Sequence, residues 1–222
     1  MTLILSADIE TNGPTPLVNA MLSFGCAMMN MDGKVVATFS RNLIPPENSK
    51  PDPATVSEFW DKNPEALAAV SENRVPLADA MRDWLDWLAP FRATDRVTLA
   101  AWPLLFDGVW LQSACAATLG IVPFKHSEGL CIKSLAAGVL GKPFERIGKR
   151  DLPKRWFAGA PRHDHVALTD AIGQGILLVN ILRENAGLRP ASEIADDDSK
   201  GAEKKIDSPP PRKADDPSSL RR

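Results

Sequence analysis

The sequence predicts an α/β protein, a central mixed sheet flanked by helices. Three observations predict it. The first 43 residues hold three apolar runs separated by turn signals. A fourth apolar run, residues 96–102, follows a long stretch of helical periodicity. From residue 105 onward the apolar residues fall mainly on helical spacings.

Residues 2–9, with Leu3-Ile4-Leu5, read as a buried strand. Asn12-Gly13-Pro14-Thr15-Pro16 breaks it. Residues 20–29 are apolar and strand-like, and Asp32-Gly33 is a turn pair that returns residues 34–43 as a hairpin partner. Residues 45–53 are rich in proline and form a loop. A helix begins near Pro53 and a second near Pro64, since proline suits a first helical turn. Across residues 76–88, Leu77, Met81, Trp84, Leu85 and Leu88 share one helical face. Residues 96–102 are a buried strand. Residues 105–119 form a helix stopped by Gly120, and residues 131–140 one stopped by Gly141 and Pro143. The last helix spans residues 165–188.

Beyond Arg189 large apolar residues almost vanish, and Asp196-Asp197-Asp198, Lys204-Lys205 and Pro209-Pro210-Pro211 appear. Such a stretch buries too little surface to fold. The expected division is one domain over residues 1–187 and a disordered, charged, proline-rich tail over 188–222.

A net charge of −2 supplies no global basic field, which argues against a protein that coats nucleic acid through many phosphate contacts. Cys26, Cys115 and Cys131 lack CxxC spacing and read as small buried hydrophobes of a reducing compartment. Asp8 and Glu10 interrupt the first apolar run before a signal-peptide core forms, and no run is long enough to cross a membrane. A cytoplasmic protein without membrane contact is expected.

Three acidic patches carry the chemistry. Residues two apart in a strand share a face, so Asp8 and Glu10 project together, an arrangement that favours a cation between them. Asp107 follows Phe106 at a helix start, where an acid taken alone is more often a cap or a charge that complements the helix dipole. Asp170 lies among Val166, Ala167, Leu168, Ala171 and Ile172, an expensive place for an unpaired carboxylate. His165 precedes it by five residues, and an imidazole can take a proton from an attacking water. His163 lies two residues earlier and His126 stands apart from any acidic pattern. Arg146, Lys149, Arg150, Lys154, Arg155 and Arg162 crowd the approach to His165, with Phe144, Trp156 and Phe157 interleaved. Cations with aromatic faces suit single-stranded nucleic acid, although the aromatics fit a core role equally well.

Asp8-Ile9-Glu10-Thr11, Phe106-Asp107 and the stretch from His165 to Asp170 resemble the three motifs of the DEDDh 3′-5′ exonucleases. That family includes proofreading subunits of bacterial polymerases, ribonuclease T and oligoribonuclease. Glu58-Phe59-Trp60 followed by Asn63-Pro64-Glu65-Ala66 is similar to the phage exodeoxyribonuclease A and mycobacterial exoribonuclease branch. The resemblance implies a ribonuclease H-like fold with a central mixed five-stranded sheet. It implies hydrolysis from the 3′ end of single-stranded DNA or RNA with two Mg²⁺ or Mn²⁺ ions. Asp8, Glu10, Asp107 and Asp170 would hold the ions and His165 would be the general base. Thr11, Asn12, Arg150, Arg155 and Trp156 are candidate substrate contacts. The chain departs from many relatives before Asp107, carrying Trp102-Pro103 where they have His-Asn. Some relatives form homodimers, and no surface stripe here demands one. The competing class is a non-catalytic nucleic-acid-binding or scaffold domain of the same fold, which would have lost a metal ligand.

Overall fold

The computed structural model describes residues 2–193. Its centre is a mixed five-stranded sheet in the order β3-β2-β1-β4-β5. Strands β1 (Thr2–Thr11), β2 (Met21–Met29) and β3 (Val35–Asn42) form an antiparallel meander. β4 (Arg96–Ala101) and β5 (Gly129–Cys131) run parallel to β1. The helices are α1 (Pro53–Glu58), α2 (Pro64–Ser71), α3 (Leu77–Thr94), α4 (Leu104–Leu119), α5 (Ile132–Leu140) and α6 (Ala167–Asn185).

Strand alternation divides β1 between two cores. Leu3, Leu5, Ala7 and Ile9 pack with Met81 and Trp84 of α3 and with Trp110 and Leu111 of α4. Ile4 turns to the other face, against Ile132 of α5 and Leu177 of α6. Ser6, Asp8 and Glu10 continue that second face by parity. Helix α6 covers it, and two glycines set how closely it lies. A Cβ on Gly25 would stand 2.3 Å from the Leu168 backbone nitrogen, and one on Gly175 would stand 2.5 Å from the Met29 sulfur. Gly25 is also the β2 residue paired with Asp8, so the contact fixes the start of α6 over the acidic end of β1.

Several expectations change: the helix expected over residues 76–88 runs on to Thr94 through Pro90, and the last helix spans Ala167–Asn185 rather than residues 165–188. β5 occupies Gly129–Cys131, so the helix expected from residue 131 starts one residue later, at Ile132. Three residues are too few for alternation to reveal a strand. The domain also runs past residue 187. Ala191 is 9% exposed within the core, and its amide donates to Asn180 Oδ1 at 3.0 Å. Residues 188–193 therefore do not belong to a disordered tail. The rest of that expectation, residues 194–222, lies outside the described residues. Among the described residues no helix is long and apolar enough to cross a membrane.

Candidate active site

β1 outruns its neighbour. Its pairing with β4 ends at Ser6, opposite Ala100, while its pairing with β2 continues to Thr11. Residues 7–11 thus keep an open edge where β4 stops and α4 begins. Asp107, in the first turn of α4, fills it: its Oδ1 accepts the Ile9 amide at 3.2 Å. Asp170 enters from the first turn of α6. Carboxylate oxygens of Asp8, Glu10 and Asp170 lie within 4.8 Å of one another. Three distant segments therefore supply one acidic cluster. Glu10, Asp107 and Asp170 are buried, with at most 8% exposed.

Burial and crowding show in the acidities. Asp8 is raised well above the usual carboxylate range, first by burial and then by Asp107, Glu10 and Asp170. Glu10 is pushed up to about 8 by burial and by Asp170 and Asp107. Burial raises Asp107 to about 7 against the pull of its hydrogen bonds, including the one from Ile9. Lys149 opposes the rise on all three. A cation bound here would displace the protons that burial favours on these carboxylates. The oxygen-only donors fit hard divalent ions such as Mg²⁺ or Mn²⁺.

Gln174, one turn beyond Asp170 and 3% exposed, was not singled out in the sequence. Its Nε2 donates to Asp8 Oδ1 at 2.5 Å, and its Oε1 accepts the Trp102 amide at 2.8 Å. The second bond fixes which end of the amide faces Asp8. It also ties down the Trp102-Pro103 loop. A polar residue four positions after Asp170 on an apolar helix was the available signal.

The two histidines divide differently from expectation. His163 Nδ1, not a His165 nitrogen, meets Asp170 Oδ1, at 2.5 Å. His165 precedes α6 with φ +60°, and its ring stands edge-on to Phe59, with centroids 4.9 Å apart. A ring nitrogen still lies within 4.8 Å of Asp170 and of a His163 nitrogen. Burial, with help from the His163 imidazole, holds the His165 pKa below the ordinary histidine value, against the pull of Asp170 and Asp164. Both effects favour the neutral ring, the form able to accept a proton.

The basic stretch separates into unlike parts. Trp156 is 1% exposed, and its indole donates to Glu184 Oε2 at 2.8 Å, so it offers no face for a base. Trp156 is therefore a core residue and not the substrate contact expected of it. Arg155 is committed to the same carboxylate through two bonds of 2.6 Å. Arg150 is exposed. Lys149 lines a cavity of about 210 Å³ that reaches His163, Asp170 and Gln174. Nothing in a run of six cations marked it out. Thr11 and Asn12 are buried and engaged internally. Thr11 Oγ1 donates to the Gly13 carbonyl, the Thr11 carbonyl accepts the Trp60 indole, and Asn12 Oδ1 accepts the Ala20 amide. They build the rim of the site with Trp60.

A family model described as a 3′-5′ exoribonuclease Rv2179c-like domain matches residues 4–182. No curated protein sequence matches the chain. Among solved structures, the nuclease domain of 3′hExo, a DEDDh family member bound to rAMP, superposes with TM-score 0.62 at 14% identity, covering 85% of this chain and 94% of that one. Pop2p of S. pombe, in a form with Mg²⁺ and Mn²⁺ bound, gives TM-score 0.58 at 17% identity, covering 80% and 82%. A zinc-bound complex of E. coli ExoI with single-stranded DNA gives TM-score 0.53 at 13% identity, covering 79% of this chain but 39% of that one. At such identities the likeness establishes the fold.

Proposed function

The chain belongs to the Rv2179c-like 3′-5′ exoribonuclease domain family, and on that premise we propose that it shortens single-stranded RNA from the 3′ end by two-metal hydrolysis. That it is a 3′-5′ exonuclease follows from the family; the metals and the substrate are the proposal. The observation that carries it is the meeting of Asp8, Glu10 and Asp170 oxygens within 4.8 Å, with Asp107 at the adjoining strand edge. No ligand type is missing from this set, which speaks against a non-catalytic scaffold.

Asp8, Glu10, Asp107 and Asp170 would hold the ions. When bound, a divalent pair supplies charge stabilisation at the scissile phosphate and a more acidic water. The chain's own residues do the rest. His165, neutral and beside Asp170, takes the proton of the attacking water on a ring nitrogen. His163 orients the Asp170 carboxylate, and Gln174 orients that of Asp8. Arg150 is free to meet a phosphate of the incoming strand. Solved relatives include one bound to rAMP and one bound to single-stranded DNA, which supports a strand end as the substrate. RNA is preferred here because of the family's exoribonuclease description, and the 2′-hydroxyl is the group that would be read.

The test is a pair of 5′-labelled oligonucleotides of one sequence, RNA and DNA, incubated with Mn²⁺. Stepwise shortening from the 3′ end is expected, faster on RNA and abolished by chelator. Cleavage persisting in excess chelator would overturn the metal mechanism, and faster DNA digestion would reverse the substrate.

A further inference from the structure

A second concavity, of about 800 Å³, lies beside the carboxylates rather than over them. Its walls come from α4, β5 and the start of α5. Asp107 turns inward from the first turn of α4 to meet the Ile9 amide. Leu104, Leu105 and Gly108, its neighbours in that turn, line the concavity. One helix therefore separates the two places, about 10–12 Å with side chains. Topology makes them neighbours. β1, β4 and β5 are parallel, so all three bring their C-terminal ends to one edge of the sheet, and α4 and α5 both begin there. That edge is where open α/β sheets bind ligands, and helix N-termini add positive potential to it.

The lining chemistry selects the occupant. Among the described residues its charged side chains are Lys125 and Lys133, with His126 beside them, and no carboxylate side chain lines it. Lys133 Nζ stands 4.3 Å from the centroid of the Phe144 ring, which is 46% exposed. Leu105, also in the lining, is 82% exposed. Lysines around an apolar floor with an open aromatic ring suit a polyanion that carries stackable bases.

We propose that this concavity is a subsite for the upstream nucleotides of a single strand whose 3′ end lies at the carboxylates. Lys125 and Lys133 meet its phosphates, and Phe144 stacks a base. The proposal rests on the exonuclease reading and extends it by a second contact region. The enzyme should therefore favour oligonucleotides long enough to reach Phe144 over dinucleotides.

Cys131 lines the same space and is a built-in reporter. Burial pushes its thiol up, but hydrogen bonds with Ser134 and with the Leu104 and Lys133 backbone leave it below the usual value. Cys26 and Cys115 are buried, and burial pushes both thiols up, Cys115 to about 11. A thiol reagent should therefore label Cys131 first.

The experiment measures Cys131 labelling of the full chain with Ca²⁺ as the only divalent ion, the oligonucleotide being checked as intact. A saturating single-stranded hexanucleotide should slow labelling at least fivefold, and a nucleoside monophosphate should leave it within about twofold, because only the longer ligand spans both regions. Lys133→Glu and Phe144→Ala should each remove the protection. Each should also lower kcat/KM for the hexanucleotide about tenfold more than for a dinucleotide. Full-rate labelling in saturating hexanucleotide would overturn the proposal, as would protection that survives Lys133→Glu. Labelling that slows with protein concentration alone would instead assign the surface to a second copy. Failure of the wild type to cleave any oligonucleotide with Mn²⁺ would sink the exonuclease reading itself, separately from the labelling result.

Discussion

Residues 4–6 of β1 are paired on both sides, with β2 and with β4, whereas residues 7–11 have β2 on one side and Asp107 on the other. The first half is two-faced core: Leu3 and Leu5 point one way and Ile4 the other. The second half keeps the alternation, with Ala7 and Ile9 still in the α3/α4 core. Its other face carries Asp8 and Glu10 into a buried acidic cluster. One strand thus serves stability along its length and chemistry only where a neighbour stops short. The end of β4 frees backbone amides and space, and Asp107 takes both.

The sharpest way to break this contrast is to substitute one residue from each set. Asp8→Ala or Asp107→Ala should abolish divalent-dependent hydrolysis. Asp8→Ala should leave the metal-free melting temperature unchanged or higher, because it removes a desolvated, repelled carboxylate, whereas Asp107→Ala also strips the buried Ile9 amide of its acceptor. Leu5→Ala should do the reverse, costing about 2–5 kcal/mol of stability without altering the metal requirement. Urea melts paired with oligonucleotide assays separate the two outcomes. A large loss of stability in Asp8→Ala would mean that the acidic half is also structural.

The histidines sharpen the contrast at the open edge. His165→Ala should lower turnover about 10²–10⁴-fold, the usual contribution of a general base. His163→Ala, which removes a partner of Asp170 rather than a proton acceptor, should cost about 10-fold or a little more, expressed as weaker metal binding. If His163→Ala proves the more damaging in single-turnover kinetics, the base is His163 and its bond to Asp170 is the catalytic one.

Gln174→Ala should be milder still, lowering metal affinity about tenfold by freeing Asp8 to rotate. Isothermal titration with Mn²⁺ reads this directly, and a variant that binds Mn²⁺ as tightly as the wild type would remove the orienting role.

The smallest effect expected is on metal-free stability against pH. Glu10 and Asp107 titrate at about 8 and about 7 in the fold, above their ordinary carboxylate values. The native state therefore binds more protons than the unfolded chain between those limits, and stability falls as pH rises. In chelator the melting temperature should decline from about pH 5 to about pH 8, and Mn²⁺ should cancel the decline by replacing the protons. A flat profile in chelator would show that the carboxylates are not held protonated.

The sequence by itself determined the layered α/β class and where each long element lies, though not the ends of α3 and α6, because alternation and helical spacing persist over eight or more residues. It also marked the acidic positions, since Asp170 stands out on an apolar helix and Asp8 and Glu10 must share a strand face. β5 escaped it because three residues carry no period, and the packed segment around Ala191 escaped because its composition is that of a tail. Only the tertiary structure decided which polar groups meet. Gln174 reaches Asp8 across 166 positions because Gly25 and Gly175 let α6 lie close on the sheet. Trp156 is core rather than a stacking surface because Glu184, one helix away, takes its indole. His163 rather than His165 touches Asp170 because the chain turns through φ +60° at His165 before α6 begins. Each of these outcomes depends on helix-to-sheet distance or on a single backbone turn, and neither leaves a periodic trace in the sequence.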